Sequence, residues 1–138
     1  MNAKRILYLL IIVLLYSSTL NAHECSCIVT IQKDSMDWND IYKYIASNYK
    51  TNTLSIRVVT SYNEWSLAEV ESKDFEPIIV LLKKSSDKFE VKAEWGGMVE
   101  EGDTAEVVSA YFAEEAPDAP PCLLKHYMPA GPPFLKQK

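Results

Sequence analysis

Apolar residues recur along this chain in three rhythms. The first is an unbroken run, Ile6 to Tyr16 (ILYLLIIVLLY), preceded by Lys4 and Arg5 and followed by Ser17, Ser18 and Thr19. The second has helical spacing. Trp38, Ile41, Tyr42, Ile45 and Tyr49 fall on one side of a helix over Trp38–Asn48, with Ser35 or Asp37 as its cap. The third is strand-like. Cys27–Gln32 and Leu54–Tyr62 are rich in β-branched residues, and Ile78–Lys84 is continuously apolar, as in a strand buried on both faces. After Ser85-Ser86-Asp87, Lys88–Trp95 alternates, with Phe89, Val91, Ala93 and Trp95 expected on one face. Together these two runs predict a hairpin.

Two stretches are less regular. Ser66–Asp74 is acidic and reads as a helical turn or a long loop. Thr104–Glu115 fits two patterns. Capped by Asp103, it makes a helix with Ala105, Val108, Tyr111 and Phe112 on one face; its first residues also alternate as a strand would. From Pro117 onward six prolines and Gly131 punctuate the chain, which predicts irregular structure. The pattern holds no internal repeat and no second domain.

The first rhythm bears on location. A short basic start, an apolar run and a small residue at Ala22 make Met1–Ala22 a cleavable secretory signal. Eleven apolar residues fall short of the roughly 20 that span a bilayer, so no stable membrane anchor is expected after cleavage. Cys25 also suggests a lipidation site, but the charged and bulky His23-Glu24 before it disfavours one. The mature chain, residues 23–138, is expected to be a single domain, secreted or periplasmic.

Charge narrows the partners. The whole chain has 14 basic and 19 acidic residues, and loss of Lys4 and Arg5 takes the net charge from −5 to −7. That balance argues against nucleic acid and against anionic membrane surfaces. It leaves an extracytoplasmic protein as the expected partner.

Cysteine and histidine carry the candidate chemistry. Cys25, Cys27 and Cys122 all lie in the exported part, where disulfides persist. Cys25 and Cys27 are two residues apart on an extended segment, so one of them is expected to pair with Cys122, leaving one thiol over. Closing so long a loop contributes about 4 kcal/mol in the chain-entropy account. If cleavage follows Ala22, His23 becomes the N-terminus, and His23 with Cys27 makes a candidate metal site. Oxidation of a cysteine would remove a thiolate ligand, so His23 reads more simply as a terminal residue. His126, beside Tyr127 in the Pro-rich tail, reads as a surface residue rather than a general base. No G-x-S-x-G, phosphate loop or paired acid/base carboxylates appear. The expectation is a protein that is not an enzyme and uses no cofactor.

The ordered set Cys25-Ser26-Cys27, Phe89-Glu90-Val91-Lys92-Ala93-Glu94-Trp95-Gly96, Gly102-Asp103-Thr104-Ala105-Glu106-Val107-Val108 and Cys122 resembles the netrin-like family, which includes the tissue inhibitors of metalloproteinases. The resemblance implies a mainly β fold, an OB-like five-stranded barrel with one flanking helix, in which residues 103–112 form a strand. It implies a Cys25–Cys122 bridge and a protease-binding edge at Cys25, Ser26, Cys27 and Ile28. Family inhibitors chelate a protease's zinc through an N-terminal cysteine; here His23-Glu24 precedes Cys25, which blocks that contact if cleavage follows Ala22. A different class of binder fits the same residues: a periplasmic immunity or inhibitor protein of α+β fold, with 103–115 helical and an acidic surface for a basic target. A third class is a periplasmic metal-binding protein using His23, Cys25 and Cys27. The conformation of 103–115 separates the first two.

Overall fold

The computed structural model describes residues 27–96 and 105–127. The signal segment, His23, Cys25, Ser26, Asp103 and the tail beyond Tyr127 lie outside them. Eight elements follow in order: β1 (Val29–Thr30), α1 (Met36–Asn48), β2 (Ser55–Tyr62), β3 (Trp65–Glu71), β4 (Ile78–Ser85), β5 (Lys88–Gly96), α2 (Ala105–Glu115) and α3 (Pro121–Lys125). The strands form one antiparallel meander in the order β1-β2-β3-β4-β5. Its two edges, β1 and β5, do not meet, so the sheet is open and the expected barrel is not formed. Residues 105–115 are helix, not the strand that the family resemblance implied. Mainly β with some helix therefore holds, but as an open sheet rather than a closed one.

α1 starts at Ser35, whose Oγ accepts from the Trp38 backbone N–H at 3.3 Å. Of the two candidate caps, this is the one used, and it satisfies one of the orphan donors of the first turn. Trp38, Ile41 and Ile45 are buried and pack on one sheet face against Ile56, Val59, Ala68, Val70, Val80 and Leu82. The opposite face is covered by α2 and α3. There Val108 and Phe112, one helical turn apart and fully buried, meet Trp65, Leu67, Ile79 and Leu81. A buried side chain of this size stabilises by about 1.5–3 kcal/mol. That second apolar sheet face is what resolves the ambiguous 105–115 run as a helix. Ser109 Oγ donates to the Leu124 carbonyl at 2.7 Å and ties α2 to α3. α3 begins with Pro121, in the first helical turn, where a missing N–H costs nothing.

Three further expectations change. Trp65–Glu71 is a strand, buried from Trp65 to Val70, where a turn or loop was expected over Ser66–Asp74. It is the middle strand of the sheet and presents Trp65 and Leu67 to one layer, Ala68 and Val70 to the other. Its polar members are paired: Ser66 with the Ser61 hydroxyl at 2.7 Å, and Glu69 with Tyr127. Second, the alternation of β5 is interrupted. Leu81 pairs with Ala93 but Leu82 pairs with Val91, so Lys92 is an extra residue in a bulge. A one-residue insertion flips every later side chain. Phe89 and Val91 therefore pack toward α1, while Ala93 and Trp95 pack toward α2. Third, the run Cys27–Gln32 contributes only Val29–Thr30 to the sheet.

The β2–β3 and β4–β5 hairpins each turn in two residues, Asn63-Glu64 and Ser86-Asp87. The first residue of each has a left-handed φ, 52° at Asn63 and 56° at Ser86. The longer β3–β4 connection is held by hydroxyls. The Asp74 carboxylate accepts from Thr51 and Thr53, and Ser72 bridges to both threonines at 2.9 and 2.8 Å.

Candidate binding surfaces

α2 is the most one-sided element in charge. Its sequence, AEVVSAYFAEE, holds three glutamates and no basic residue. With Val108 and Phe112 turned into the core, Glu106, Val107, Ala110, Ala113, Glu114 and Glu115 are exposed. Tyr111 lies between these two sides. It makes an edge-on contact with Trp95 of β5, ring centroids 5.2 Å apart and planes at 73°. Burial raises the Tyr111 phenol above its usual pKa, and the negative charges of Glu115 and Glu94 push it the same way. Glu94 also accepts a hydrogen bond from the Tyr49 hydroxyl. The result is an acidic surface with two half-buried aromatic rings at its side. Such a surface suits a cationic partner: tyrosine and tryptophan give contact area at little entropic cost, and carboxylates speed encounter with positive charge.

The 25–28 edge is only partly in view. Cys25 and Ser26 lie outside the described residues. Cys27 is exposed, Ile28 is half-buried, and both lead into β1, whose Val29 is 57% exposed. Among the described residues β1 is an edge strand, paired only with β2, with Val29 opposite Ser61. Cys122 is buried in the first turn of α3. The proposed partner sulfur, on Cys25, is outside the described residues, as is His23 of the candidate metal pair. Among the described residues, no three His, Cys, Asp or Glu side chains gather around a common point for a metal. His126 is exposed, and its Nδ1 sits 3.0 Å from the Cys122 carbonyl at the end of α3.

The sequence reading missed one ionisable group, Glu69. It has no exposed surface. Tyr127, itself 4% exposed, donates its hydroxyl to Glu69 Oε1 at 2.6 Å. Burial and the adjoining carboxylate push the tyrosine's ionisation far above its ordinary range. Fifty-eight residues separate the pair, so no local pattern could have joined them. The contact anchors the end of the second helical layer to the middle of the sheet.

Among the described residues no helix is long and apolar enough to cross a membrane. Neither a protein-family model, nor a curated protein, nor a solved structure matches this chain. The netrin-like resemblance therefore rests on its quoted motifs alone.

Proposed function

We propose that this chain is an exported protein-binding domain of the immunity or inhibitor kind, not an enzyme, tied by a Cys25–Cys122 bridge and directed at a basic protein through α2. The observation that carries the reading is the helical state of 105–115, with its glutamates turned outward and no basic residue among them. A strand there would have supported the netrin-like alternative. The aromatic pair Tyr111–Trp95 supplies the apolar part of the contact. Partner recognition by steering predicts association that is fast at low salt and slows as salt rises.

The test is capture from the extracytoplasmic fraction of the cells that make the protein, followed by kinetics on the captured species. A protein with a basic surface should be retained, and Glu114→Lys with Glu115→Lys should slow its association by about tenfold or more. Asp37→Lys, on α1 over the opposite face of the sheet, should leave that rate unchanged. A captured partner indifferent to the α2 substitutions, or no partner of basic character, refutes the reading.

A second surface is favoured by one observation, the exposure of Val29 on an edge strand. On that reading the 25–28 segment and β1 dock as an edge in a protease cleft. Val29→Lys would then abolish binding while the α2 substitutions spare it.

A further inference from the structure

The side of the molecule away from α2 carries an unlike charge pattern. α1 and the β4–β5 turn enclose an open groove of about 470 Å³. Its walls follow from local structure. Lys84 and Phe89 are direct cross-strand partners, two positions from a two-residue turn, so they share the sheet face that α1 covers. Asp40, Lys43 and Tyr44 lie one helical turn apart and project toward them. The tight turn brings Lys88 and Asp87 to the groove's open end. Tyr44 and Phe89 form its apolar wall, ring centroids 5.6 Å apart, and Lys84 Nζ lies 5.3 Å from the Phe89 centroid. A smaller depression of about 210 Å³ adjoins it and shares Lys84 and Phe89 as lining.

The three lysines stand out in an acidic protein. The ion pairs among the described residues use Arg57, Lys83 and Lys92; none uses Lys43, Lys84 or Lys88. The lining therefore presents three ammonium groups against two carboxylates, a net single positive charge. A volume near 470 Å³ falls within the roughly 300–1,000 Å³ range of small-molecule sites, and aromatic walls with a few charged groups are their usual lining. A single excess positive charge suits a monoanion; a polyphosphate would bring more negative charge than the site can balance beside Asp40 and Asp87.

We propose that this groove binds an amphiphilic monoanion, a carboxylate, sulfonate or phosphodiester on an apolar body, with the anion held by Lys84 and Lys88 and the apolar part against Tyr44 and Phe89. This stands apart from the α2 reading, since it uses none of the same residues.

The probe is 8-anilinonaphthalene-1-sulfonate, an aromatic monoanion whose fluorescence reports an apolar site. Its uncharged analogue N-phenyl-1-naphthylamine and the aliphatic anion decanoate are the comparison arms. Saturable binding of both anions is expected, with amide shifts in an NMR titration centred on Tyr44, Lys84 and Phe89. The uncharged analogue should bind markedly more weakly. Lys84→Gln should weaken sulfonate binding about tenfold, the loss expected for one charge-assisted contact. Lys125→Gln, on α3, should not change it, and near-UV circular dichroism of each variant should match the native protein. Decanoate binding without the sulfonate would restrict the site to aliphatic anions and overturn its aromatic wall as the recognition element. Equal binding of the uncharged analogue, shifts centred elsewhere, or full affinity in Lys84→Gln would overturn the proposal.

Discussion

Tyr127→Phe removes one oxygen atom and should be among the more costly conservative changes in this protein. Glu69 has no exposed surface, so its carboxyl has given up its water on folding, and the Tyr127 hydroxyl at 2.6 Å replaces part of that hydration. A hydrogen bond to a charged group contributes about 1.5–3 kcal/mol. Phenylalanine fills nearly the same space, so no cavity term is added. The expected loss is therefore about 1.5–3 kcal/mol, and for a domain of this size it should lower the melting temperature by about 6–12 °C. Urea unfolding followed by tryptophan fluorescence measures it directly, with Trp38, Trp65 and Trp95 as reporters, and the slope of free energy against urea should not change. The alkaline limb supplies a second readout. The folded-state ionisation of Tyr127 lies above its unfolded value, so the stability it contributes is complete below about pH 10 and is lost as pH rises beyond it. Tyr127→Phe should flatten that limb. A Tyr127→Phe loss under 0.5 kcal/mol, with an unchanged alkaline limb, would refute the view that this contact anchors the second layer.

Two smaller tests probe the loops and the sheet end. Hydrogen bonds from Thr51, then Thr53 and Ser72, hold the Asp74 carboxyl below the usual carboxylate range. The stability this supplies is present above the unfolded carboxylate pKa of about 4 and is lost as pH falls below it, so Asp74→Asn should flatten the fall in urea midpoint with acid. The same acid dependence in both proteins would count against it. Gly96 faces Ile78 across the β4–β5 ladder, and a Cβ there would meet Ile78 Cγ2 at 2.8 Å. Gly96→Ala should cost about 1–3 kcal/mol by overpacking, and Ile78→Leu, which moves the branch outward, should suppress part of it in a thermal melt.

What local pattern revealed, and what it did not, divides along one physical line. α1 was legible because it buries apolar residues at its own period, the β4–β5 hairpin because two apolar runs flank a short polar turn, and the Ser35 cap and the Ser86-Asp87 turn are local chemistry. β3 was not, because it is buried on both faces yet contains Ser66 and Glu69, whose partners are supplied by β2 and by Tyr127. Ser66 finds its partner only across the β2–β3 turn and Glu69 only 58 residues away, so in a short window both look like loop residues. The bulge at Lys92 was hidden for the opposite reason: the β5 sequence alternates smoothly, and only pairing with β4 shows the inserted residue. α2 was a true tie at the local level. Val108 and Phe112 have helical spacing, but what decides is the second apolar sheet face waiting for them, a property of β3 and β4 rather than of 105–115 itself. The candidate surfaces follow the same rule. The acidity of α2 could be counted in advance, but which glutamates face outward depended on that docking.

The sheet also keeps the two proposed surfaces independent. α2 covers one face and α1 the other, so the α2 glutamates and the lysine groove are separated by the sheet and its flanking side chains. Two packed layers amount to roughly 20 Å, against a Debye length of about 8 Å at physiological ionic strength. Charges at one surface are therefore largely screened from the other, and a net acidic chain can still hold an anion, because local rather than total charge governs binding. It follows that Lys84→Gln and the paired Glu114→Lys, Glu115→Lys substitutions should act additively, within about 0.5 kcal/mol. If instead the α2 substitutions strengthened sulfonate binding as much as a lysine added to the groove itself, the sulfonate would be responding to the charge of the whole molecule, and the groove would lose its claim to be a site.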